Sequence, residues 1–166
     1  MQTPPNERNW PEPVQRVSAV LRAAAVDARI EEFAGGTPSA REAARAVGCE
    51  LAQIVKSLVL VCDGAYVLAL VPGDGRADEG AIARKLEVSE VRIARPDEVV
   101  HATGFEPGGV APFPQRAVTR TLMDRSFFRF ELVWIGAGSA SHMAAIGPPE
   151  LQRLSGATTF DLTNRG

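Results

Sequence analysis

The chain has 166 residues, of which 45% are hydrophobic and 23% charged, and its formal net charge is −2. This length suits one domain with its own core, and the composition is that of a globular protein, not of a disordered chain. The slight acidity argues against a broadly basic surface for nucleic acid, and no apolar run approaches the ~20 residues of a membrane helix. We therefore expect a cytoplasmic protein that has no membrane partner.

Residues 1–10 are polar and contain proline, which predicts a flexible N-terminal tail ahead of a single domain over 11–166. Within that domain, apolar spacing and capping signals predict both helices and strands. The predicted helices cover 13–26, 39–47, 78–86, 96–103 and 148–154, and the predicted strands cover 30–34, 54–62, 65–71, 91–94, 117–122, 131–137, 142–146 and 158–162.

Two apolar runs, 54–62 and 65–71, flank Asp63-Gly64. Asp-Gly between two such runs predicts a tight hairpin. Strands outnumber the helices, and a second predicted hairpin interrupts any simple strand–helix alternation, which argues against a purely parallel sheet. The fold class expected is therefore α+β, with a mixed, curled sheet flanked by helices.

The two cysteines, Cys49 and Cys62, are spaced unlike a metal knuckle and lie in mostly apolar segments. Reduced, packed thiols are therefore expected. The two histidines, His101 and His142, have no carboxylate or thiol at ligand spacing. No metal and no cofactor are expected.

Lys56 is the strongest single candidate for chemistry, because it lies inside an apolar strand of a chain whose other basic residues are almost all arginine. Burying an ammonium group beside Ile54 and Leu58 costs several kcal/mol unless it reaches a cleft or an anion. The alternative is a structural lysine that protects a sheet edge or reaches water along its stem. Ser57 is expected to face the other side of the strand and to be structural.

The segment 103–114, TGFEPGGVAPFP, is the part of the chain that packing explains least, because it holds three glycines, three prolines and two phenylalanines. Glycine allows a ligand to approach the backbone closely, and proline fixes φ, so this composition predicts a rigid loop that presents its amide groups. A plain turn needs no more than one glycine and one proline.

This loop resembles the TGFxxGxVxPF element of the YbaK/ProX family of aminoacyl-tRNA deacylases, including its inner GxxxP, here Gly108 to Pro112. Segments 54–60 (IVKSLVL) and 136–142 (GAGSASH) lie in the expected order on either side, so the resemblance covers nearly the whole chain. It implies a barrel-like mixed sheet flanked by helices, with the active cleft along one side.

The resemblance also implies roles for individual residues. Lys56 corresponds to the family's main functional lysine, which would position and polarise the ester, and Gly108 would share in catalysis because its backbone faces the carbonyl. The positions implied to bind substrate are Thr103, Gly104, Phe105, Gly109, Val110, Pro112, Asp124, Gly138, Ser139 and His142.

Several of these positions have a structural alternative. Phe105 is expected in the core more readily than in a pocket wall, and the segment 136–142 suits a plain turn as well as a binding role. A Ser141-His142 dyad is poor, because neighbours on an extended chain face opposite sides and no acid is placed to orient the imidazole. Asp124 is expected to orient other groups.

The function implied by the resemblance is a freestanding trans-editing deacylase that hydrolyses the ester of a mischarged tRNA. The favoured substrate is tRNA-Pro carrying a wrong small amino acid. The partners are the 3′ acceptor end of the aminoacyl-tRNA and an aminoacyl-tRNA synthetase. The vicinal ribose hydroxyl would assist attack, which fits a chain without a recognisable nucleophile elbow. The alternatives are a non-catalytic module that binds the tRNA end, and a small hydrolase of other esters.

Overall fold

The computed structural model describes residues 9–37 and 39–164, so nearly all of the predicted tail over 1–10 lies outside the described residues. The helices are α1 (Glu12–Ala23), α2 (Ala40–Val47), α3 (Glu79–Leu86), α4 (Pro96–Thr103) and α5 (Pro148–Ser155), and the strands are β1 (Ile30–Glu32), β2 (Val55–Cys62), β3 (Ala65–Pro72), β4 (Arg76–Ala77), β5 (Val91–Ile93), β6 (Val118–Asp124), β7 (Val133–Ser139), β8 (His142–Ile146), β9 (Thr158–Phe160) and β10 (Thr163–Asn164).

The described strands form three sheets. The largest has the order β5-β2-β3-β6-β9 and is mixed, because β6 runs parallel to both β3 and β9 while β2 is antiparallel to its neighbours. The second has the order β1-β8-β7 and is antiparallel, and the third pairs β10 with β4. A parallel bridge between Ile54 and Trp134 links the first two sheets.

Hydrophobic alternation along β2 separates two parts of the core. Val55, Val59 and Val61 pack into the main core, together with α1, β7 and β8, whereas Leu60 and Cys62 pack into a second cluster against Ile82 of α3. This is the period-2 pattern of a strand that is covered on both faces. The faces of β2 therefore point at different helices, and only its edge is left for a ligand.

Local sequence signals predicted these elements well. Asp63 and Gly64 both have positive φ and close the β2–β3 hairpin, as the Asp-Gly pair predicted. Ser39 accepts a hydrogen bond from the Glu42 amide at the start of α2, and Gly48 ends that helix in the left-handed region. The α+β class and the mixed sheet are confirmed.

The expected barrel-like curl is not confirmed. The described strands lie in three separate sheets of five, three and two strands, and they form no closed barrel. The two-residue strands β4 and β10 were not predicted, because a pair of residues carries no alternation pattern. Within the described ranges, no helix is long and apolar enough to cross a bilayer.

Candidate active site

A cleft of about 390 Å³ lies along the edge of β2, between the N-terminus of α2, the 103–114 loop and the β7–β8 hairpin. β5 pairs with β2 only at Leu60 to Cys62, which leaves the other end of that edge without a partner strand from the described residues. The residues that line the cleft are Thr37, Ser39, Ala40, Ala43, Ile54, Val55, Lys56, Ser57, Leu58, Gly108, Val110, Gly136, Ser139, His142 and Met143.

Lys56 borders this cleft, and its side chain is partly buried. Its Nζ donates a hydrogen bond to the carbonyl oxygen of Gly75, at 2.7 Å. Burial lowers the pKa of Lys56, although nearby Asp74 acts in the opposite direction and Arg76 adds to the lowering. An ammonium has three donors, and the described residues supply this one with no further hydrogen bond or ion pair. Two donors therefore remain open to solvent or to a ligand.

The loop lies directly on the backbone of β7, because glycine removes the side chains that would hold them apart. A Cβ added to Gly109 would meet Ser139 Cα at 2.7 Å, and one added to Gly136 would meet the Val110 carbonyl oxygen, also at 2.7 Å. Real Cβ atoms do not approach other atoms so closely. The cleft wall at this point is therefore two main chains in contact.

Gly108 differs from Gly109. Its φ of +89° lies in the left-handed region, which favours glycine, and a Cβ there would meet nothing within 4 Å. A methyl group at this position would project into open space at the cleft wall. The two glycines therefore differ in their surroundings, since Gly108 forms part of the cleft surface and Gly109 allows the loop to pack against β7.

His142 is 4% exposed and is held by three neighbours. Its Nδ1 is 2.6 Å from the Ser139 hydroxyl oxygen, and its Nε2 is 3.2 Å from a carboxylate oxygen of Glu32. The Trp10 ring packs edge-on against the imidazole, with 5.5 Å between the ring centroids. The sequence predicts no acid beside this imidazole and makes a Ser141-His142 dyad poor. The first expectation is wrong, because the β1–β8 register, a tertiary feature, places Glu32 opposite His142. The serine that contacts the ring is Ser139, a member of the predicted binding set.

Three residues of the predicted binding set lie beneath the loop, outside the cleft wall. The hydroxyl of Thr103 donates to the Val99 carbonyl and accepts from the Phe105 amide, so it caps the end of α4. Gly104 ends that helix with φ +80°. Phe105 is 1% exposed and belongs to the main core, with the Arg16 guanidinium 5.0 Å from its ring centroid. Each of these residues supports the loop from below.

Asp124 also lies away from the cleft. It is fully buried, and its carboxylate accepts hydrogen bonds from the Ser126 and Leu162 amides and from the Thr163 hydroxyl. These bonds tie the end of β6 to the last segment of the chain, so the expectation that Asp124 orients ligand groups is replaced by a structural role.

Gly138 and Pro112, two further members of the predicted binding set, are also outside the cleft wall. A Cβ on Gly138 would lie 2.7 Å from the Pro13 carbonyl oxygen, so this glycine lets β7 pass the start of α1. Pro112 lines a different cavity, together with Arg120. Of the predicted positions, Lys56, Gly108, Val110, Ser139 and His142 are brought together in the cleft.

Ser57, which the sequence predicts to be structural, lines the cleft. Its hydroxyl oxygen is buried and has no hydrogen-bond partner among the described residues. The Val59 carbonyl bonds to Ala94 on the β5 side of β2, so by alternation the amide and carbonyl of Ser57 also face that side. A buried hydroxyl without a partner is costly, and a ligand in the cleft would supply one.

The thiols take no part in this site. Burial raises the pKa of Cys49 and of Cys62, and the adjacent carboxylates of Glu50 and Asp63 add to the effect. Neither thiol lines the cleft. In the described part of the chain, no three His, Cys, Asp or Glu side chains lie close enough together to hold a metal ion.

Comparison with known proteins supports the motif resemblance. The family model for the aminoacyl-tRNA editing domain matches residues 34–154. YwhH of Bacillus subtilis (strain 168) is 32% identical over 127 residues, which cover 76% of this chain and 80% of that protein. Proline–tRNA ligase of Lactobacillus gasseri is 33% identical over 90 residues, which cover 54% of this chain but only 16% of the ligase.

Solved structures agree with these sequence matches. A crystal structure of a proposed trans-editing enzyme for prolyl-tRNA synthetase superposes with a TM-score of 0.88 and 34% identity, covering 95% of this chain and all of the other. The hypothetical protein APE2540 superposes with a TM-score of 0.84 and 27% identity, covering 90% of this chain and 99% of the other. The likeness therefore extends over at least nine-tenths of the chain.

Proposed function

Because the chain belongs to the aminoacyl-tRNA editing domain family, we propose that it hydrolyses the ester of a mischarged tRNA in the cytoplasm, acting in trans. The substrate is tRNA-Pro carrying a wrong small amino acid. The observation that carries the proposal is the convergence, in one cleft, of the Lys56 side chain with the side-chain-poor wall at Gly108 and the Ser139–His142 pair. The substrate assignment is supported by the similarity to proline–tRNA ligases.

The proposed reaction is an ester hydrolysis. Water adds to the acyl carbon, the bond from that carbon to the ribose oxygen breaks, and the ribose oxygen takes a proton, which releases amino acid and intact tRNA. Negative charge develops on the carbonyl oxygen as water adds. A cation with donors to spare in a partly buried site stabilises such charge better than it would in water.

Lys56 suits that role because its ammonium is fixed by one hydrogen bond to Gly75 and retains two further donors. Fixing the group in advance means that little reorganisation is needed as charge develops. The Gly108 segment offers main-chain atoms and no side chain, so an acylated ribose can approach the wall closely. The vicinal hydroxyl of the terminal ribose assists the attack of water, and the protein supplies placement.

The size and lining of the cleft suit a small acyl group on a nucleoside. Its volume of about 390 Å³ falls within the ~300–1,000 Å³ typical of small-molecule pockets. Ala40, Ala43 and Met143 line it with apolar surface, whereas the Ser57 hydroxyl adds a polar group that lacks a protein partner. Apolar walls discriminate between side chains by only about 1–3 kcal/mol per methylene, so we expect a preference among small amino acids and not an absolute choice.

The test is a panel of purified tRNAs, among them tRNA-Pro charged with alanine, serine, cysteine or proline. We expect release of at least one small non-cognate amino acid well above the spontaneous rate, and a loss of about 100-fold or more in the Lys56→Ala variant. The matched control is Lys85→Ala, since Lys85 is the other lysine of the chain and does not line the cleft.

Three outcomes would contradict this proposal. If no charged tRNA is cleaved faster than it decays but the tRNA end binds, the protein is a binding module. If it hydrolyses other esters but not aminoacyl-tRNA, the protein is a different hydrolase. Equal rates for Lys56→Ala and wild type would remove the lysine from the mechanism.

A further inference from the structure

Glu32 lies outside the three sequence motifs, yet the fold places it directly across from a cleft residue. In the β1–β8 ladder the Cα partner of Glu32 is His142, so their side chains lie on the same face of the sheet. The carboxylate is 60% exposed, whereas the imidazole is almost fully buried. Glu32 thus reaches from the surface to the outer nitrogen of the ring, at 3.2 Å.

The contacts of the ring determine which nitrogen carries the proton. A carboxylate is only an acceptor, so Nε2 must be the protonated nitrogen that donates to Glu32. In the neutral ring, Nδ1 is then an acceptor, and the Ser139 hydroxyl 2.6 Å away must donate to it. The Trp10 ring meets the imidazole edge-on and helps to fix its plane.

This arrangement also determines what the Ser139 hydroxyl can offer to a ligand. A serine hydroxyl has one proton and two lone pairs. The proton is committed to His142, and one lone pair accepts the Ser141 amide at 3.0 Å. One lone pair is left, and Ser139 lines the cleft. Toward a ligand, the hydroxyl is therefore only an acceptor.

We infer that Glu32 is a positioning residue, which holds His142 in the Nε2–H form and thereby makes Ser139 an acceptor for an N–H or O–H group of the cleft's ligand. This inference rests on the proposed function for its kinetic consequence, because the ligand donor is either the α-ammonium of the aminoacyl group or a hydroxyl of the terminal ribose. The carboxylate acts through the histidine and does not touch the ligand.

The first experiment measures the tautomer directly and does not depend on any enzymatic activity. Imidazole ¹⁵N shifts of His142 are recorded by NMR for the full chain at neutral pH, in wild type and in the Glu32→Ala, Glu32→Gln and Glu31→Ala variants. Glu31→Ala is the matched control, because Glu31 is the adjacent residue of β1, pairs with Met143 and faces the other side of the sheet.

We expect wild type and Glu31→Ala to show a neutral ring protonated at Nε2. Glu32→Gln retains an acceptor oxygen and should show the same pattern, whereas Glu32→Ala should shift the population toward the Nδ1–H form. An imidazolium ring in wild type, or an unchanged pattern in Glu32→Ala, would overturn the inference. A denaturation curve for each variant shows whether it is folded.

The second experiment identifies the ligand group with tRNA-Pro carrying either alanine or propionate, since propionate lacks the α-ammonium. Ser139→Ala should slow alanine release about tenfold, through loss of one hydrogen bond to the ligand. If Ser139→Ala releases propionate as fast as wild type does, the α-ammonium is the donor. If the substitution slows propionate and alanine release equally, a ribose hydroxyl is the donor. Unchanged rates for both esters would overturn the assignment of Ser139.

Glu32→Ala should slow the same reaction about fivefold, which corresponds to one neutral hydrogen bond, and Glu32→Gln should restore most of the rate. Glu31→Ala should match wild type. An equal loss in Glu31→Ala would mean that charge near the cleft, and not the position of His142, sets the rate. If wild type releases no amino acid at all, the proposed function fails, while the NMR result on His142 still decides the positioning role.

Discussion

Gly109 and Ser139 are in main-chain contact, because a Cβ on Gly109 would be only 2.7 Å from the Cα of Ser139. This contact joins the proline-rich loop to the β7–β8 hairpin and so brings two sequence motifs into one wall. The short distance between the loop and β7 depends on the absence of a side chain at Gly109. It explains why the loop holds two adjacent glycines with different tasks.

Gly108→Ala and Gly64→Ala should differ in activity but not in stability. Both glycines have positive φ, +89° and +83°, and at both sites a Cβ would meet nothing within 4 Å. Each substitution should therefore cost about 1–2 kcal/mol of folding free energy from backbone strain. Only Gly108 lines the cleft, so only Gly108→Ala should slow deacylation. Urea denaturation and the alanine-release assay measure the two effects, and equal activity of the two variants would argue against a ligand at Gly108.

Gly109→Ala should be more damaging than either of these. The new methyl group would collide with the Ser139 backbone, so the loop or the hairpin must move. We expect a loss of about 2–4 kcal/mol in the free energy of unfolding, measured by urea denaturation, together with a loss of activity. A Gly109→Ala protein as stable as wild type would show that the two segments are not tightly packed in solution.

The lowered pKa of Lys56 predicts a pH dependence of stability. Burial makes the folded protein release this proton at lower pH than the unfolded chain, whose lysine titrates near ~10.4. Between the two pKa values the unfolded chain binds more protons, so stability rises with pH there. Relative to Lys56→Met, wild type should therefore gain stability as pH rises through the lowered folded-state pKa toward about 10.5. Denaturation midpoints at several pH values check this, and a constant or falling difference would contradict it.

Asp124 should matter for folding and not for catalysis. Its buried carboxylate accepts hydrogen bonds from Ser126, Leu162 and Thr163, and Asp124→Asn would turn one acceptor oxygen into a donor group. We expect a loss of about 2–4 kcal/mol in unfolding free energy, with the activity per folded molecule nearly unchanged. The exposed neighbour Asp161 supplies the control, since Asp161→Asn should cost less than about 0.5 kcal/mol.

Glu98 should contribute to acid resistance. Its hydrogen bonds from the Arg92 guanidinium, and also from the Arg95 amide, lower the pKa of this carboxyl to about 2. A depressed folded-state pKa gives stability that is complete above the unfolded value of ~4.3 and is lost as pH falls toward the folded value. Wild type should therefore lose more stability than Glu98→Gln between about pH 5 and pH 2, as thermal melts would show. Parallel pH profiles would refute the pairing.

The sequence predicted what is decided locally. The Asp63-Gly64 turn, the Ser39 cap and the Gly48 end of α2 each depend on a few neighbouring residues, and the structure has all three. Lys56 stood out because an ammonium inside an apolar strand is costly, and this chemical argument needs no knowledge of the partners.

The rest of the site depends on contacts between distant segments. Nothing near Glu32 in sequence shows that it faces His142, since that pairing follows from the β1–β8 register. Phe105 and Gly109 lie in the same loop as Gly108, but the packing of the loop against the core and against β7 gives them structural roles. The composition of the loop predicted a rigid segment that presents its amide groups, but it could not assign a role to each residue.

Gly75, whose carbonyl accepts the Lys56 hydrogen bond, packs closely against β10. Gly75 precedes β4, which pairs with β10, and a Cβ on Gly75 would lie 2.8 Å from the Thr163 methyl group. Thr163 is in turn anchored by the Asp124 carboxylate. Truncation before Thr163, or a bulky tag fused shortly after it, should therefore disturb the position of Gly75 and weaken its hydrogen bond with Lys56. Recombinant forms that differ only in the residues after β10 should therefore be compared for deacylation before any of them is used to test the proposed function.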